Sequence, residues 1–127
     1  KLSESFPEVE FLGFQNPIPY YEKASILVVS SLGKENFPTV ILEAMRHGVC
    51  VVGHRVGGIP ELIGHNRTGV LYENNQELKR GITALISDER QIRKLGSAGR
   101  KRFLDNYLFE TCKKKYTDLY HSLTTAA

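Results

Sequence analysis

A chain of 127 residues, 41% hydrophobic and 24% charged, can bury one real core and has the composition of an ordinary soluble globular domain. No apolar run approaches the ~20 residues that span a bilayer, and the opening KLSESFPEVE is too polar for a signal peptide. The net charge of +3 is uneven: residues 1–78 hold 6 Lys/Arg against 9 Asp/Glu, and residues 79–127 hold 11 against 5.

Val9–Gly13 (VEFLG) predicts a strand, closed by Gly13 and the turn-prone Gln15-Asn16-Pro17. Pro19–Ala24 predicts a short helix. Ser25–Ser31 is a continuous β-branched run of the kind buried on both faces of a parallel sheet. A loop carrying Glu35 follows, then an amphipathic helix stopped by Gly48, then Val49–Gly53 as the next buried strand. On that helix about 100° separates neighbours. Val40, Ile41, Ala44, Met45 and Gly48 therefore share the arc that suits a sheet, while Thr39, Glu43 and His47 fall on another side.

Gly57-Gly58-Ile59-Pro60-Glu61 combines a tight turn with a helix start at Pro60 that ends near Gly64. This loop should lie at the same sheet end as Glu35, either beside a ligand or as a purely structural turn. His65–Thr68 is a turn and Gly69–Tyr72 a short final strand. Leu78, Ile82, Leu85 and Ile86 then place one helix from Gln76 to Ser87. Ile92, Leu95, Ala98 and Phe103 predict a second, weakened by Gly96 and Gly99. Phe109–Leu123 is a third, with Cys112, Tyr116, Leu119, Tyr120 and Leu123 on one side. The alternation predicts an α/β fold of parallel βαβ units with right-handed crossovers. No internal repeat or low-complexity segment interrupts it.

Chemistry concentrates in Ser30–Val52, SSLGKENFPTVILEAMRHGVCVV. A helix start beside a strand's C-terminal end is where open α/β sheets bind ligands. The first helical turn offers unpartnered N–H groups and a partial positive charge. Asn36 is a good N-cap, and Pro38 fits the first turn but has no N–H, which leaves Phe37, Thr39 and Val40 as donors. Carboxylates at Glu35 and Glu43 could accept from ligand hydroxyls. Such a set suits a sugar or ribose joined to a phosphate. By themselves, two glutamates eight apart also fit a surface helix with ordinary charges.

Elsewhere the signals are plain. Cys50 sits in an apolar strand and Cys112 in a late helix without metal-like spacing, as reduced cytoplasmic thiols would. His47, His54, His65 and His121 form no ligand cluster, so no metal is expected. The basic residues of the second half are scattered among acidic ones without interleaved aromatics. They fit a solvated helical face, or one near an anionic membrane surface, better than a nucleic-acid interface.

The run ENFPTVILEAM (Glu35–Met45), followed by VGHRVGGIPELI, resembles the C-terminal domain of GT-B glycosyltransferases of family 4. That family shows Glu-x7-Glu in a setting like E-G-F-P-x-x-x-x-E-A-M, then G-x-P-V-V and G-G-x-P-E. FLGF at Phe11–Phe14, YYEKASILVVSS at Tyr20–Ser31 and TGVLY at Thr68–Tyr72 extend the match, which runs to about Leu104. The resemblance implies a Rossmann-like parallel sheet with helices on both faces, within the C-terminal half of a GT-B fold. It implies transfer of a sugar, of hexosyltransferase type, from a nucleotide-diphosphate sugar to a glycan or lipid-linked acceptor. Anomeric configuration would be retained, with no cofactor, in polysaccharide biosynthesis.

By the same resemblance, Glu35 is the catalytic candidate, touching hydroxyls of the transferred sugar with help from backbone around Asn36, Phe37, Pro38, Thr39 and Val40. Glu43 would bind the ribose. Phe14 and Gln15 would lie near the base, and Gly57 and Gly58 beside the ligand. Asn36 stands where the family commonly has Gly, Cys50 replaces a frequent Pro, and His54-Arg55 precede the glycine pair where smaller residues are common. Asn tolerates positive φ better than most residues, so the turn should survive. The family's phosphate-binding Arg and Lys and its acceptor domain lie upstream of this stretch. Together with Met45 as the sole methionine, this leads to the expectation of a partial donor-binding domain over residues 1–127, lacking the N-terminal acceptor domain. The parent is expected in the cytoplasm, with peripheral association at the inner face of the membrane. Other readings are a sugar-nucleotide epimerase, a non-catalytic nucleotide-sugar-binding module or partner subunit, and a plain structural domain.

Overall fold

The computed structural model describes residues 6–33 and 35–124. In chain order the elements are α1 (Ile18–Tyr21), β1 (Ile26–Val29), α2 (Thr39–Arg46), β2 (Cys50–His54), α3 (Ile59–Leu62), β3 (Val70–Tyr72), α4 (Asn75–Ile86), α5 (Glu89–Asn106) and α6 (Phe109–Thr124). The three strands form a parallel sheet in the order β1-β2-β3, with Ile26 opposite Cys50 and Val52 opposite Val70.

Strand alternation sorts the core into two layers. Val29, Val51 and Leu71 point to one face, where Ile41, Ala44 and Met45 of α2 and Ile59 and Leu62 of α3 cover them. Cys50, Val52 and Tyr72 point to the other, against Leu85 of α4 and Leu95 of α5. Helices thus lie on both faces, and each fully buried Ile, Leu or Met contributes roughly 1.5–3 kcal/mol. The apolar stripe of α2 is narrower than its periodicity predicts, since Val40 is 41% exposed.

Helix α5 joins the layers. Its Leu95 packs in one, while its Phe103 and the C-cap residue Tyr107 pack against the other. It passes over the turn before β2, and a Cβ at Gly96 would lie 2.0 Å from the carbonyl oxygen of Gly48. The two glycines that weaken this helix by propensity are buried in it: they let it approach the backbone beneath. Gly48 itself takes φ +76 and stops α2 as predicted.

Three expectations are corrected. Val9–Gly13 is not a strand: it has no hydrogen-bonded neighbour strand, and Phe11 is 58% exposed. β1 is therefore an edge of the described sheet, and its Val28 is 39% exposed rather than buried on both faces. Ile86 faces outward at 70% exposure, because α4 meets the core through Leu78 and Leu85.

Candidate functional site

The loop from Ser30 to Pro38 leaves the C-terminal end of β1 and delivers the chain to the start of α2. Helix α2 begins at Thr39 with Pro38 as its N-cap residue, in extended geometry and with no side-chain cap. Asn36 is therefore not the cap, a correction to the sequence reading. Proline supplies no cap oxygen, so the first-turn amides of Thr39 and Val40 face outward without an intrahelical acceptor. Phe37 turns its ring edge-on to Tyr107, the residue that caps the C-terminus of α5, centroids 6.1 Å apart, which pins the loop to the body of the domain.

Glu35 is half-buried in this loop. The Ser31 hydroxyl donates to its Oε1 at 2.8 Å. Its backbone is held from the other side, where the Gly58 amide donates to the Glu35 carbonyl at 2.7 Å. The glycine pair is indispensable to that approach. A Cβ on Gly57 would stand 2.1 Å from the Glu35 carbonyl oxygen, and one on Gly58 would stand 1.9 Å from that of Asn36. Gly57 also sits at φ +52. The structural reading of this turn and its place beside Glu35 thus hold together: Gly57 and Gly58 shape the loop that presents the carboxylate.

His54, at the end of β2, braces the same corner. Its Nδ1 lies 2.8 Å from the Ser31 carbonyl oxygen, and its ring stacks on Tyr72 at 5.1 Å. Arg55 pairs with Glu73 at the surface, N to O 3.1 Å. The bulky pair before the glycines therefore ties strand ends together.

Glu43 occupies the second turn of α2, half-buried. Tyr21, the buried residue of α1, donates its hydroxyl to Glu43 Oε2 at 3.1 Å. Burial first, and then the adjacent Glu43 carboxylate, pushes the Tyr21 phenol up to about 12, so it is a proton donor across the neutral range. The Tyr21 ring stacks on His47, one turn beyond Glu43, at 5.8 Å. Asn16, Pro17, Ile18, Tyr21, Glu43, Arg46 and His47 line an open cavity of about 270 Å³. Phe14 and Gln15 lie outside that lining: Phe14 is fully exposed, and Gln15 donates to the Leu12 carbonyl at 3.2 Å. A wider cavity of about 710 Å³ opens beyond Arg46 and His47 against Arg100, Phe103 and Tyr107, and neither glutamate lines it.

Sequence reasoning placed both glutamates, the helix and the glycine turn, but missed Ser31, Tyr21 and His47 as their partners. Ser31 lies four residues before Glu35 and His47 four after Glu43, whereas Tyr21 is 22 residues from its glutamate and gave no local signal. Among the described residues, no three His, Cys, Asp or Glu side chains converge as a metal site. No described helix is long and apolar enough to cross a membrane.

The family model for glycosyl transferases group 1 matches residues 5–102. N-acetyl-alpha-D-glucosaminyl L-malate synthase of Bacillus anthracis is 34% identical over 91% of this chain, which spans 31% of that protein's length. The crystal structure of Anabaena Alr3699/HepE with UDP-glucose superposes with a TM-score of 0.82 at 27% identity, covering 95% of this chain and 36% of that one. The C-terminal domain of a glycosyl transferase group 1 family protein, LpcC of Francisella tularensis, gives 0.70 at 27% identity over 85% of this chain and 61% of its own. The chain belongs to the glycosyl transferases group 1 family.

Proposed function

We propose that this chain is the donor-binding part of the C-terminal domain of a retaining family 4 GT-B glycosyltransferase. In the parent protein a hexosyl group leaves a nucleotide-diphosphate sugar for a hydroxyl of a glycan or lipid-linked acceptor. The bond to the diphosphate oxygen is exchanged for one to the acceptor oxygen, with anomeric configuration kept. The donor is a substrate, and no further cofactor is invoked. The parent works in the cytoplasm, peripherally at the inner face of the membrane, in polysaccharide biosynthesis.

One observation carries this reading. Two carboxylates, each held by a hydroxyl donor, stand one in the loop before the open first turn of α2 and one in its second turn, in the segment that follows the C-terminal end of β1. Acceptors beside a fan of amide donors match a hydroxyl-rich ligand with an anionic link. Glu35 serves as the catalytic carboxylate beside the transferred sugar. Asn36, Phe37, Pro38, Thr39 and Val40 line the sugar and its phosphate through backbone. Glu43 accepts from ribose hydroxyls, and the segment from Phe14 and Gln15 into the Asn16–Ile18 turn borders the base. Gly57 and Gly58 hold the loop. The likeness to a protein crystallised with UDP-glucose supports this assignment.

The test is transfer by the full-length protein carrying this chain, with UDP-, GDP- and ADP-sugars and glycan or lipid-linked acceptors. Product of retained configuration, abolished by Glu35→Gln, is the expected result. Residues 1–127 alone are expected to be inactive, because stabilising charge on the leaving diphosphate needs groups from both domains. Donor binding without transfer by the full-length protein would favour a non-catalytic nucleotide-sugar-binding module.

A further inference from the structure

We propose that Tyr21 is a positioning residue for donor binding: its hydroxyl holds one oxygen of Glu43 so that the other is left for the ribose of the nucleotide. This rests on the reading of Glu43 given above and goes beyond it, by naming the group that aims the carboxylate. The 3.1 Å contact uses Oε2, which leaves Oε1 as the free acceptor. A carboxylate on an exposed helix face would sample several rotamers, and ordering it on binding costs conformational entropy. Here that ordering is done in advance.

Several contacts converge on the same function. Tyr21 is only 8% exposed and packs in the α2 layer of the core, so its ring is immobile. His47 stacks on the ring, so α2 and its C-cap residue grip the tyrosine with two side chains one turn apart, Glu43 at the hydroxyl and His47 at the face. Tyr21 also ends α1, and α1 begins at a turn fixed by Asn16, whose Oδ1 accepts from the Ile18 amide at 3.2 Å. That turn forms the opposite wall of the cavity containing Glu43. Docking Tyr21 on α2 therefore sets both the acceptor and the wall it faces. The facing titratable and charged groups are Glu43 and Arg46 on α2 and His47 at its C-cap.

The experiment uses the full-length protein and compares a nucleoside diphosphate with its 2′,3′-dideoxy counterpart, choosing whichever of UDP, GDP and ADP binds most tightly. Wild type should prefer the ribose form about tenfold or more, as expected for hydroxyls donating to a carboxylate. Tyr21→Phe should lose about three- to tenfold for the ribose form and stay unchanged for the dideoxy form. In a Glu43→Ala background, Tyr21→Phe should have no further effect on either. In the otherwise wild-type protein, Tyr21→Phe should raise donor KM while kcat holds. Full ribose preference in Tyr21→Phe overturns the proposal. Equal losses for both nucleotides, or a variant that does not fold, assign Tyr21 to the fold and overturn it as well. Absence of any ribose preference in wild type instead overturns the reading of Glu43 on which the proposal stands.

Discussion

The Gly58 amide donates to the carbonyl oxygen of Glu35 at 2.7 Å, joining the loop after β2 to the loop after β1. With Ser31 on its side chain and Gly58 on its backbone, Glu35 is held from two directions. Gly58→Ala places a Cβ 1.9 Å from the Asn36 carbonyl oxygen, so one loop must move. Displacing a positioned catalytic group by about 1 Å costs up to a hundredfold in rate. Initial-rate measurements on the full-length variant should show kcat falling tenfold or more, with thermal stability lowered by about 1–3 kcal/mol. Unchanged kcat would mean the loop tolerates the shift and Glu35 needs no such clamp.

Glycines elsewhere in the chain separate propensity from packing. Gly96→Ala should gain roughly 1 kcal/mol in helix propensity. It nonetheless drives a Cβ to 2.0 Å from the Gly48 carbonyl oxygen. Backbone cannot swing aside as a side chain does, so a net loss of about 2–3 kcal/mol is expected. Gly81→Ala in α4 meets only Val70 Cγ1 at 3.4 Å and should stay within about 0.5 kcal/mol of wild type, or gain slightly. Denaturant melts of both variants decide it. Equal effects would show that α5 does not press on the β2 turn.

These glycines mark how far the sequence could be read. Strand and helix order was legible because apolar period is local: Cys50–His54 and Thr39–Arg46 declare themselves within a few residues. Gly96 and Gly99 were misweighed because their reason is a neighbour some 50 or 30 residues away, Gly48 for one and Thr68 for the other. Val9–Gly13 has a strand's composition, but pairing is decided by a partner strand and not by composition. In the site, both glutamates were legible from a motif. Their partners were not: Tyr21 lies 22 residues from Glu43, so tertiary packing brings them together, and the Ser31–Glu35 contact, though only four residues apart, depends on an irregular loop with no periodic pattern. Asn36 lost the cap position to Pro38 by two residues, an ordinary error at helix boundaries.

The two thiols should differ sharply. Cys50 is fully buried in β2, and burial pushes its thiol up to about 11. Near pH 8 it is therefore protonated as well as enclosed. Cys112 is half-buried near the start of α6, its Sγ 3.9 Å from the Asn106 carbonyl oxygen. A thiol reagent at pH 8 should modify Cys112 readily and Cys50 only at the rate of unfolding. Mass-mapped labelling that finds Cys50 modified as fast as Cys112 would contradict the buried central strand.

Helix α6 buries none of its residues, and Phe109, Tyr116, Leu119, Tyr120 and Leu123 are all more than half exposed. The exposed i,i+4 ion pair Lys114–Asp118 at 2.7 Å supports it locally and is worth a few tenths of a kcal/mol. In residues 1–127 alone, its amides should exchange orders of magnitude faster than those of β2. In the full-length protein the apolar stripe should be covered and the helix protected. Equal protection of α6 in both proteins would show that its stability comes from nothing outside this chain.

The last prediction divides the work of the two glutamates in the full-length protein. A carboxylate at Glu43 that holds ribose hydroxyls makes the same contact in the ground and transition states. Glu43→Ala should then mainly raise donor KM, since it removes uniform binding. Hydrogen bonds to a charged acceptor are worth ~1.5–3 kcal/mol, or roughly tenfold to a hundredfold in affinity. Glu35, by contrast, would lie beside the sugar whose ring gains positive charge as its bond to the diphosphate breaks. A carboxylate there is worth more in the transition state, so Glu35→Gln should lower kcat more than it raises KM. Both residues are half-buried and neither belongs to a core cluster, so both variants should fold. Donor titrations and initial rates on the purified variants decide it. An unchanged donor KM in Glu43→Ala, or a kcat in Glu35→Gln equal to wild type, would reverse the assignment of roles. Loss of folding in both would instead make the pair structural, with Ser31 and Tyr21 as their scaffold partners.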